Sequence, residues 1–371
     1  MAVLVEFEAQ GFRNLLQVRL GLGEGLNFVI GGNAQGKTSL IEAVYMVATG
    51  RSPRARKEAE VINCHKERVL LRARVRHGTL EETLEALLGR VPNFSKELRV
   101  NGKRISRAEL LGRLPVVLAW GHDQDALQGP PSLRRRLLDD TLAQMSHTYY
   151  FTLVRYGRTL QQRNSLLRRG LVRNLDPWDE QLILHGATLT VRRLDLLRRL
   201  APLVSRTYGE FMGGGESLEV SLLPSWEGTT LTEVVGAGQS ALRRWRKLEE
   251  QRGATLTGPH RDDIVFRVGG LDLRAYGSRG QQVAAMLAWR LGEWQVLRQV
   301  LGEEPLLLLD DVLAELDPRR QSGFLEQVAR GPQALVTATT FPSSALAGIA
   351  TKVFSIRAGE ISLWAGEGVR T

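Results

Sequence analysis

Apolar residues near the start of the chain recur with a period of two, which is typical of half-buried strands. The string VLLRARVRHG (69–78) alternates apolar residues with arginines in this way. LRVNGKRI (98–105) centres on Asn101-Gly102, a pair that suits the positive φ angles of a tight hairpin turn. These patterns predict a mixed α/β structure for the beginning of the chain.

From about Gly129 to Gly253 the spacing of apolar residues becomes helical. Leu194, Leu197 and Ala201, for example, recur at intervals of three and four residues. The heptad pattern is not sustained, so the segment predicts a compact helical lobe rather than a long coiled coil.

Strand patterns return after Gly253. The string DDIVFRVGGLDLRAYG (262–277) predicts a hairpin about Gly269-Gly270, and it is followed by an amphipathic helix, QQVAAMLAWRLGEWQVL, and a buried strand, LLLLD. We therefore predict one α/β head split by an insertion. The head segments are residues 1–128 and 254–371, and the helical lobe is residues 129–253.

Composition limits the class of protein. Hydrophobic residues make up 43% of the 371 positions, enough for a sizeable core in about two lobes. No apolar run approaches the roughly 20 residues that span a bilayer, and acids interrupt the N-terminal stretch where a signal peptide is apolar. We expect a cytoplasmic protein with no membrane partner. The single cysteine, Cys64, excludes an intrachain disulfide.

The basic residues are mostly arginine, with 43 arginines and seven lysines among the 50. Codon usage in a GC-rich genome explains the preference for arginine but not where the charge lies. Residues 130–210 hold 14 arginines, no lysine and seven acids, and so contribute +7 to the net charge of +10. A regional excess of this kind indicates an anion-binding face.

A phosphate-binding loop is present in LNFVIGGNAQGKTSLIEAVYMV (26–47), where a strand, a glycine-rich loop and a helix follow one another. Its glycines allow backbone amides to approach phosphate oxygens at a helix N-terminus. Lys37 is expected to reach the β- and γ-phosphates, and Thr38 to place its hydroxyl on Mg²⁺. The predicted ATP-binding loop comprises Gly31, Gly32, Asn33, Ala34, Gln35, Gly36, Lys37, Thr38 and Ser39.

The matching acidic motif is PLLLLDDVLAELD (305–317), a run of leucines followed by two carboxylates. Ligands of open α/β sheets bind at the carboxyl ends of such strands. Asp310 is therefore the candidate for holding Mg²⁺, directly or through water, and Asp311 for a general base or water-positioning group. A core strand with a solvated end gives the same pattern, but the P-loop favours the catalytic interpretation.

YGSRGQQ (276–282) precedes a long helix and has the position and character of an ABC signature sequence. Ser278, Gly280 and Gln281 are candidates for contacting a nucleotide held by an opposite subunit, so that ATP joins two subunits head to tail. The alternative is a simple helix N-cap, and both can hold at once. The fold class predicted is an ABC-type P-loop ATPase head, split by a mainly helical second lobe.

Taken together, these strings resemble the RecF family of bacterial DNA replication and repair proteins. GFRNL, ATGRSPRA, LTGPHRDDIVF, YGSRGQQ and LLLLDDVLAELD follow the family pattern in order, over essentially the whole head and more weakly in the arginine-rich lobe. The resemblance implies an SMC-type head without the long coiled coil. It also implies an ATP-dependent homodimer that binds DNA and, with RecO and RecR, promotes loading of RecA. Asp317 is implied to lie in the loop that communicates between subunits.

Two features depart from the nucleotide-site pattern or leave it open. No histidine follows His260, so the switch histidine of transporter-type subunits is absent. Thr339 or Thr340 in VTATT would replace it as a weaker hydrogen-bonding group, which fits slow hydrolysis. Gln124 in AWGHDQDAL is the candidate for the glutamine that senses Mg²⁺, the alternative being an ordinary loop glutamine.

Arginine clusters on the predicted helices are candidates for contacting DNA phosphates. The alternative is a solvated helix face whose arginines pair with nearby aspartates. No helix-turn-helix or zinc-finger signature is visible, so double- and single-stranded DNA should be bound independently of sequence. Arg51 and Arg54, just past the P-loop helix, are candidates for sensing nucleotide or DNA. The DNA-binding candidates are Arg134, Arg135, Arg136, Arg168, Arg169, Arg192 and Arg193.

Three other functions share the nucleotide motifs. In a transporter ATPase subunit, fewer residues separate the P-loop from the signature than separate Lys37 from Ser278 in this chain. A chromosome-organising SMC protein needs hundreds of coiled-coil residues between its head segments. A nuclease coupled to an ABC head needs a further metal cluster, and the sequence offers none. We therefore expect a DNA-binding repair protein with weak, DNA-dependent ATPase activity.

Overall fold

Strands dominate both ends of the chain, and helices dominate its middle. The structure, a computed structural model, describes residues 2–364 except 91, 122, 317, 330, 332 and 341–349. The strands are β1 (Ala2–Phe12), β2 (Leu15–Gly21), β3 (Leu26–Ile30), β4 (Arg68–His77), β5 (Leu80–Gly89), β6 (Ser95–Val100), β7 (Lys103–Ile105), β8 (Val116–Trp120), β9 (Leu218–Leu223), β10 (Asp263–Val268), β11 (Leu271–Asp272), β12 (Leu306–Asp310), β13 (Ala334–Ala338), β14 (Ala350–Arg357) and β15 (Glu360–Leu363). The helices are α1 (Lys37–Thr49), α2 (Arg107–Leu110), α3 (Asp123–Gln128), α4 (Pro131–Met145), α5 (His147–Arg168), α6 (Asp176–Phe211), α7 (Leu231–Arg252), α8 (Leu273–Tyr276), α9 (Arg279–Leu301) and α10 (Pro318–Ala329).

The chain divides into two compact units. The first contains residues 1–123 and 293–371, and the second contains residues 124–292. The boundary near residue 292 differs from the one predicted at 253, because β10 pairs with β9 inside the helical segment. The YGSRGQQ string therefore belongs to the second unit rather than to the head.

The first unit contains an antiparallel sheet with the strand order β2-β1-β4-β5-β6-β7. Its middle strand, β4, buries the alternating apolar residues from Val69 to Val75, as predicted. On the opposite face Arg72 lies 3.1 Å from Glu8 and 2.9 Å from Glu85, on the strands to either side. Positive φ angles at Asn101 and Gly102 form the predicted turn between β6 and β7.

The second sheet of this unit carries the nucleotide motifs. Its strand order is β15-β14-β3-β13-β12-β8, and every neighbouring pair is parallel except β14 with β15. All residues of β12 and β13 are buried, as expected for strands covered on both faces. Helix α1 packs against both sheets, and its apolar residues join theirs in one core.

Helices α4 to α7 build most of the second unit, together with a small sheet in the order β11-β10-β9. The longest helix, α6, has 36 residues and packs against α5, α7 and β9. The predicted turn at Gly269-Gly270 joins β10 and β11, whereas β9 was not predicted. Helix α9 is buried continuously from Val283 to Trp289, so the prediction of an amphipathic helix was wrong.

Candidate nucleotide-binding site

The loop between β3 and α1 is shaped by glycines and by positive φ angles. Gly36 has a φ of 115° and Ala34 a φ of 61°, conformations in which successive amides line a concave surface. A Cβ atom on Gly31 would overlap the Ile356 carbonyl oxygen, so only glycine fits there. Gly36 precedes the first residue of α1, and the loop therefore ends at a helix N-terminus, where an anion is favoured.

An open cavity of about 460 Å³ lies in front of this loop and helix. Besides the predicted loop residues, it is bordered by two residues from neighbouring turns and by Asp311. Its lining is Asn14, Gly32, Asn33, Ala34, Gly36, Lys37, Thr38, Ser39, Arg54 and Asp311. Gly31 and Gln35 border a neighbouring cavity of about 620 Å³ together with Thr339 and Thr340.

Lys37 is folded back onto its own loop. Its Nζ donates hydrogen bonds to the Gly31 carbonyl at 2.6 Å and to the Gly32 carbonyl at 3.1 Å. The side chain is buried, so these carbonyls are what offsets the cost of removing the ammonium group from water. A phosphate oxygen entering the loop would compete for the same ammonium group.

Asp310 and Thr38 lie side by side, although 272 positions separate them in the chain. Thr337 donates a hydrogen bond to Asp310 Oδ1 at 2.8 Å, and the Thr38 hydroxyl lies close enough to the same carboxylate to lower its pKa. Burial raises the pKa of Asp310 above its ordinary value, and Thr337 and Thr38 partly offset that shift. An adjacent hydroxyl and carboxylate are hard oxygen donors, the ligand type that suits Mg²⁺.

Asp311 has a left-handed backbone with a φ of 57°, an uncommon conformation for a residue that is not glycine. Its backbone N–H donates to the Thr337 hydroxyl at 3.0 Å, which holds this conformation. The residue borders the phosphate cavity. Backbone strain of this kind is concentrated at functional sites.

A buried carboxylate on α1 anchors two arginines beside the cavity. Glu42 is 1% exposed and accepts hydrogen bonds from Arg13 at 2.9 and 3.2 Å and from Ser52 at 2.5 Å. Arg54, which borders the phosphate cavity, lies 3.7 Å from the same carboxylate. Glu42 was not predicted, although an acid among the apolar residues of a core helix was a visible signal.

Thr337 was also missed. The predicted hydrogen-bonding group was Thr339 or Thr340, and both of these residues border the neighbouring cavity. Strand β13 lies between β3 and β12 in the sheet, so the residue of β13 that pairs with Asp310 is Thr337. The pairing of Thr337 with Asp310 can be recognised only once the order of the strands is known.

In the second unit, the signature string begins α9 with two reciprocal hydrogen bonds. The Ser278 N–H donates to Gln281 Oε1 at 2.8 Å, and the Gln281 N–H donates to Ser278 Oγ at 3.2 Å. Ser278 and Gly280 are exposed. The helix-cap arrangement is therefore present, and it leaves both residues accessible.

The remaining predicted residues have mixed outcomes. Gln124 begins the second unit, and its role as a Mg²⁺ sensor stays a prediction. Asp317 lies outside the described residues.

Among the residues that are described, no group of three or more His, Cys, Asp and Glu side chains is placed to hold a metal ion. Within that same part of the chain, no helix combines the length and apolarity needed to cross a bilayer.

Two of the predicted DNA-contacting arginines are buried, and the prediction is wrong for them. Arg134 is 2% exposed and forms a two-pronged ion pair with Asp263, at 2.7 and 3.0 Å. Arg193 is equally buried and lies 2.9 Å from both Asp139 and Asp262. Since these guanidinium groups are enclosed and paired, they cannot reach a phosphate.

The other candidates differ in how accessible they are. Arg135 is partly buried and donates to the Asp262 carbonyl at 2.7 Å, and burial lowers its pKa. Arg136 pairs with Asp140 one helical turn away. Arg168, Arg169 and Arg192 are exposed, so they keep the predicted role open.

The parallel sheet, the glycine loop and the Thr38–Asp310 pair define a P-loop head of the SMC type. Residues 3–362 match the family described as RecF/RecN/SMC N terminal domain. The fold is similar to an SMC head domain from Pyrococcus furiosus, with a TM-score of 0.59 at 15% identity over 98% of this chain and 96% of that one.

Proteins with higher sequence identity to this chain show which family of SMC-type heads it belongs to. The chain is 40% identical over 365 residues to the DNA replication and repair protein RecF of Symbiobacterium thermophilum, covering 95% of this chain and 96% of that protein. A solved structure of the recombination mediator protein RecF with ATP, from the RecFOR pathway, matches with a TM-score of 0.89 at 31% identity, covering 98% of both chains. The chain belongs to the RecF family of DNA replication and repair proteins.

Proposed function

We propose that this protein binds ATP with Mg²⁺ and uses the nucleotide to control dimerisation and DNA binding during recombinational repair. It acts in the cytoplasm at gaps or junctions between single- and double-stranded DNA and, with RecO and RecR, promotes RecA loading. The observation that carries the proposal is the phosphate cavity, where Lys37 and Thr38 of the loop border the same space as Asp311. Family membership favours this function over a transporter subunit or a chromosome scaffold.

The nucleotide chemistry follows from the groups at the cavity. Lys37 leaves the Gly31 and Gly32 carbonyls for the β- and γ-phosphates, and loop amides bind the remaining oxygens. Thr38 and Asp310 would hold Mg²⁺, which neutralises phosphate charge when bound. Asp311, fixed by its contact to Thr337, orients a water molecule for slow hydrolysis.

Dimerisation involves the exposed start of α9. Ser278 and Gly280 present a helix N-terminus to solvent, and such a terminus favours a phosphate. We propose that each subunit offers this end to the nucleotide held by the other. Two ATP molecules then close one head-to-tail dimer.

The first test is Lys37→Met, which removes the ammonium group and keeps the length of the side chain. ATP affinity should fall roughly ten- to a hundred-fold, as expected for a lost hydrogen bond to a charged group. Sedimentation and DNA-binding titrations, each with ATP and with ADP, measure dimerisation and DNA affinity. The unsubstituted protein should form a dimer that binds DNA with ATP, and the variant should form none. A monomer under saturating ATP, or equal DNA affinity in all nucleotide states, would contradict the proposal.

Ser278→Arg separates the two halves of the mechanism. The added side chain obstructs the exposed end of α9 and should block dimerisation without changing ATP affinity, measured by calorimetry on the monomer. Loss of ATP binding would instead place Ser278 in the site of its own subunit.

A further inference from the structure

The turn between β14 and β15 donates two backbone hydrogen bonds to one residue of the phosphate loop. The Ala358 N–H donates to Gln35 Oε1 at 2.6 Å, and the Gly359 N–H donates to the Gln35 carbonyl at 2.9 Å. Gln35 therefore receives both amides of the turn, one on its side chain and one on its backbone. The turn and the loop are separated by more than 320 positions in the chain.

The turn has a conformation that directs both of its amides at Gln35. Arg357 pairs with Glu360, so Ala358 and Gly359 form a two-residue hairpin turn, with φ angles of 51° and 81°. A Cβ atom on Gly359 would overlap the Asn14 carbonyl oxygen. Alanine at a positive φ is unfavourable, and the hydrogen bond to Gln35 holds it there.

Gln35 itself borders the neighbouring cavity and is absent from the lining of the phosphate cavity. Its Nε2 donates to the Asn33 carbonyl at 3.3 Å, inside the loop. The side chain thus connects the backbone of the loop at Asn33 to the β14–β15 turn. It is placed to shape the loop rather than to contact phosphate.

This connection matters most once a nucleotide is bound. Lys37 holds the Gly31 and Gly32 carbonyls only until a phosphate takes its ammonium group. The hydrogen bonds from Ala358 and Gly359 do not involve Lys37, so they persist when the lysine moves. They then keep the amides of residues 33–36 directed at the ligand.

We propose that Gln35 is a positioning residue and that the β14–β15 turn preorganises the phosphate loop for ATP. A loop fixed in its bound shape binds more tightly because less conformational entropy is lost on binding. The inference rests on the proposed ATP site and assigns its preorganisation to an element from the other end of the chain.

The test compares Gln35→Leu, which keeps the size but loses the acceptor, with the exposed surface control Gln17→Leu. Gln35→Leu should weaken ATP binding at least fivefold by calorimetry, and Gln17→Leu should leave it unchanged. Hydrogen exchange should show that ATP protects the Ala358 amide in the unsubstituted protein and in Gln17→Leu, but not in Gln35→Leu, which keeps only the Gly359 hydrogen bond to its backbone carbonyl. A purely structural role for Gln35 would leave this coupling intact.

Gly359→Ala tests the same contact from the other side, because its Cβ atom displaces the turn while every residue of the loop keeps its identity. It should weaken ATP binding in the same direction, and thermal unfolding without nucleotide shows whether each variant is folded. Unchanged affinity and unchanged protection in whichever of the two variants folds would overturn the inference. Failure of the unsubstituted protein to bind ATP would overturn the proposed function instead.

Discussion

At the scale of single residues, the Thr337 hydroxyl fixes both acidic groups of the site. It donates to Asp310 Oδ1 and accepts from the Asp311 N–H. Hydroxyl and valine methyl groups are similar in size, so Thr337→Val removes both contacts with little change of shape. One buried residue thereby couples the Mg²⁺ candidate to the water-positioning candidate.

Thr337→Val should lower the free energy of unfolding by about 1–3 kcal/mol, the cost of leaving a buried polar group unpaired. It should also reduce ATP hydrolysis, because Asp311 loses the contact that holds its left-handed backbone. Urea unfolding and a steady-state ATPase assay measure the two effects. Thr337→Ser keeps the hydroxyl and should recover most of both, and a serine variant as defective as valine would argue against the hydrogen bonds.

His260 gives the second unit a pH-dependent stability. Its Nδ1 lies 2.6 Å from the Tyr156 hydroxyl, and its Nε2 lies 3.2 Å from the Thr255 carbonyl. Burial, with Arg261, Arg135 and Arg163 nearby, lowers the pKa of His260 from 6.5 to about 4. Since the folded protein favours the neutral form, this stabilisation is complete above pH 6.5 and is lost as the pH falls through 4.

Thermal unfolding between pH 8 and pH 4 should therefore show a steeper loss of stability in the unsubstituted protein than in His260→Gln. The variant has no ring to protonate, and the other titrating groups are common to both proteins. A steeper fall in the variant would have the wrong sign for this account.

At the scale of elements, the helices of the second unit are joined by enclosed arginines. Arg193 on α6 bridges Asp139 on α4 and Asp262 before β10, and Arg134 joins α4 to Asp263. Desolvating these charges is costly, so the pairs specify how the helices dock more than they add stability. Removing one partner leaves a carboxylate buried without its counter-charge.

Arg193→Met should therefore cost about 3–5 kcal/mol of unfolding free energy. Its neighbour Arg192 is exposed and is the matched control, with a change within about 0.5 kcal/mol expected for Arg192→Met. On the proposed function, DNA affinity should respond in the opposite order to stability. Arg192→Met should weaken DNA binding, which is measured by the fluorescence anisotropy of a labelled duplex. Equal destabilisation by the two substitutions would contradict the burial argument.

A structural feature could be predicted where the residues that specify it are neighbours in the sequence. The P-loop and both glycine turns were predicted because glycine positions report backbone angles directly. The burial of Arg193 had a signal that was not used, since it recurs at helical spacing with the buried residues Leu189, Leu196 and Leu200. Thr337 and Gln35 had none, because their partners are set by strand order and by a turn from the other end of the chain.

At the scale of the whole molecule, ion pairs with acids occupy many of the arginines in both units. The arginines of β4 are paired with glutamates across the antiparallel sheet. In the helical segment, three of the arginines counted in the sequence are enclosed: Arg134, Arg163 and Arg193. On the proposed function, DNA binding therefore depends on exposed arginines such as Arg168 and Arg169.

DNA affinity should fall roughly a thousandfold between 50 and 200 mM salt if about six phosphates are neutralised. Replacing both Arg168 and Arg169 with glutamine should reduce the slope of log affinity against log salt by about two. Titrations of one duplex across salt concentrations, and of a second duplex of unrelated sequence, measure the slope and test sequence independence. A slope that does not change would place the DNA surface elsewhere.

The order of strands in the parallel sheet also governs when the protein can first work. Strand β3 pairs with β13 and β14, which leave the ribosome about 300 residues later. At roughly 5–20 residues per second, β3 waits on the order of half a minute with both edges unpaired. A growing chain therefore cannot complete its nucleotide site until β13 and β14 have been synthesised, and throughout that interval β3 depends on the nascent chain's surroundings for protection against aggregation.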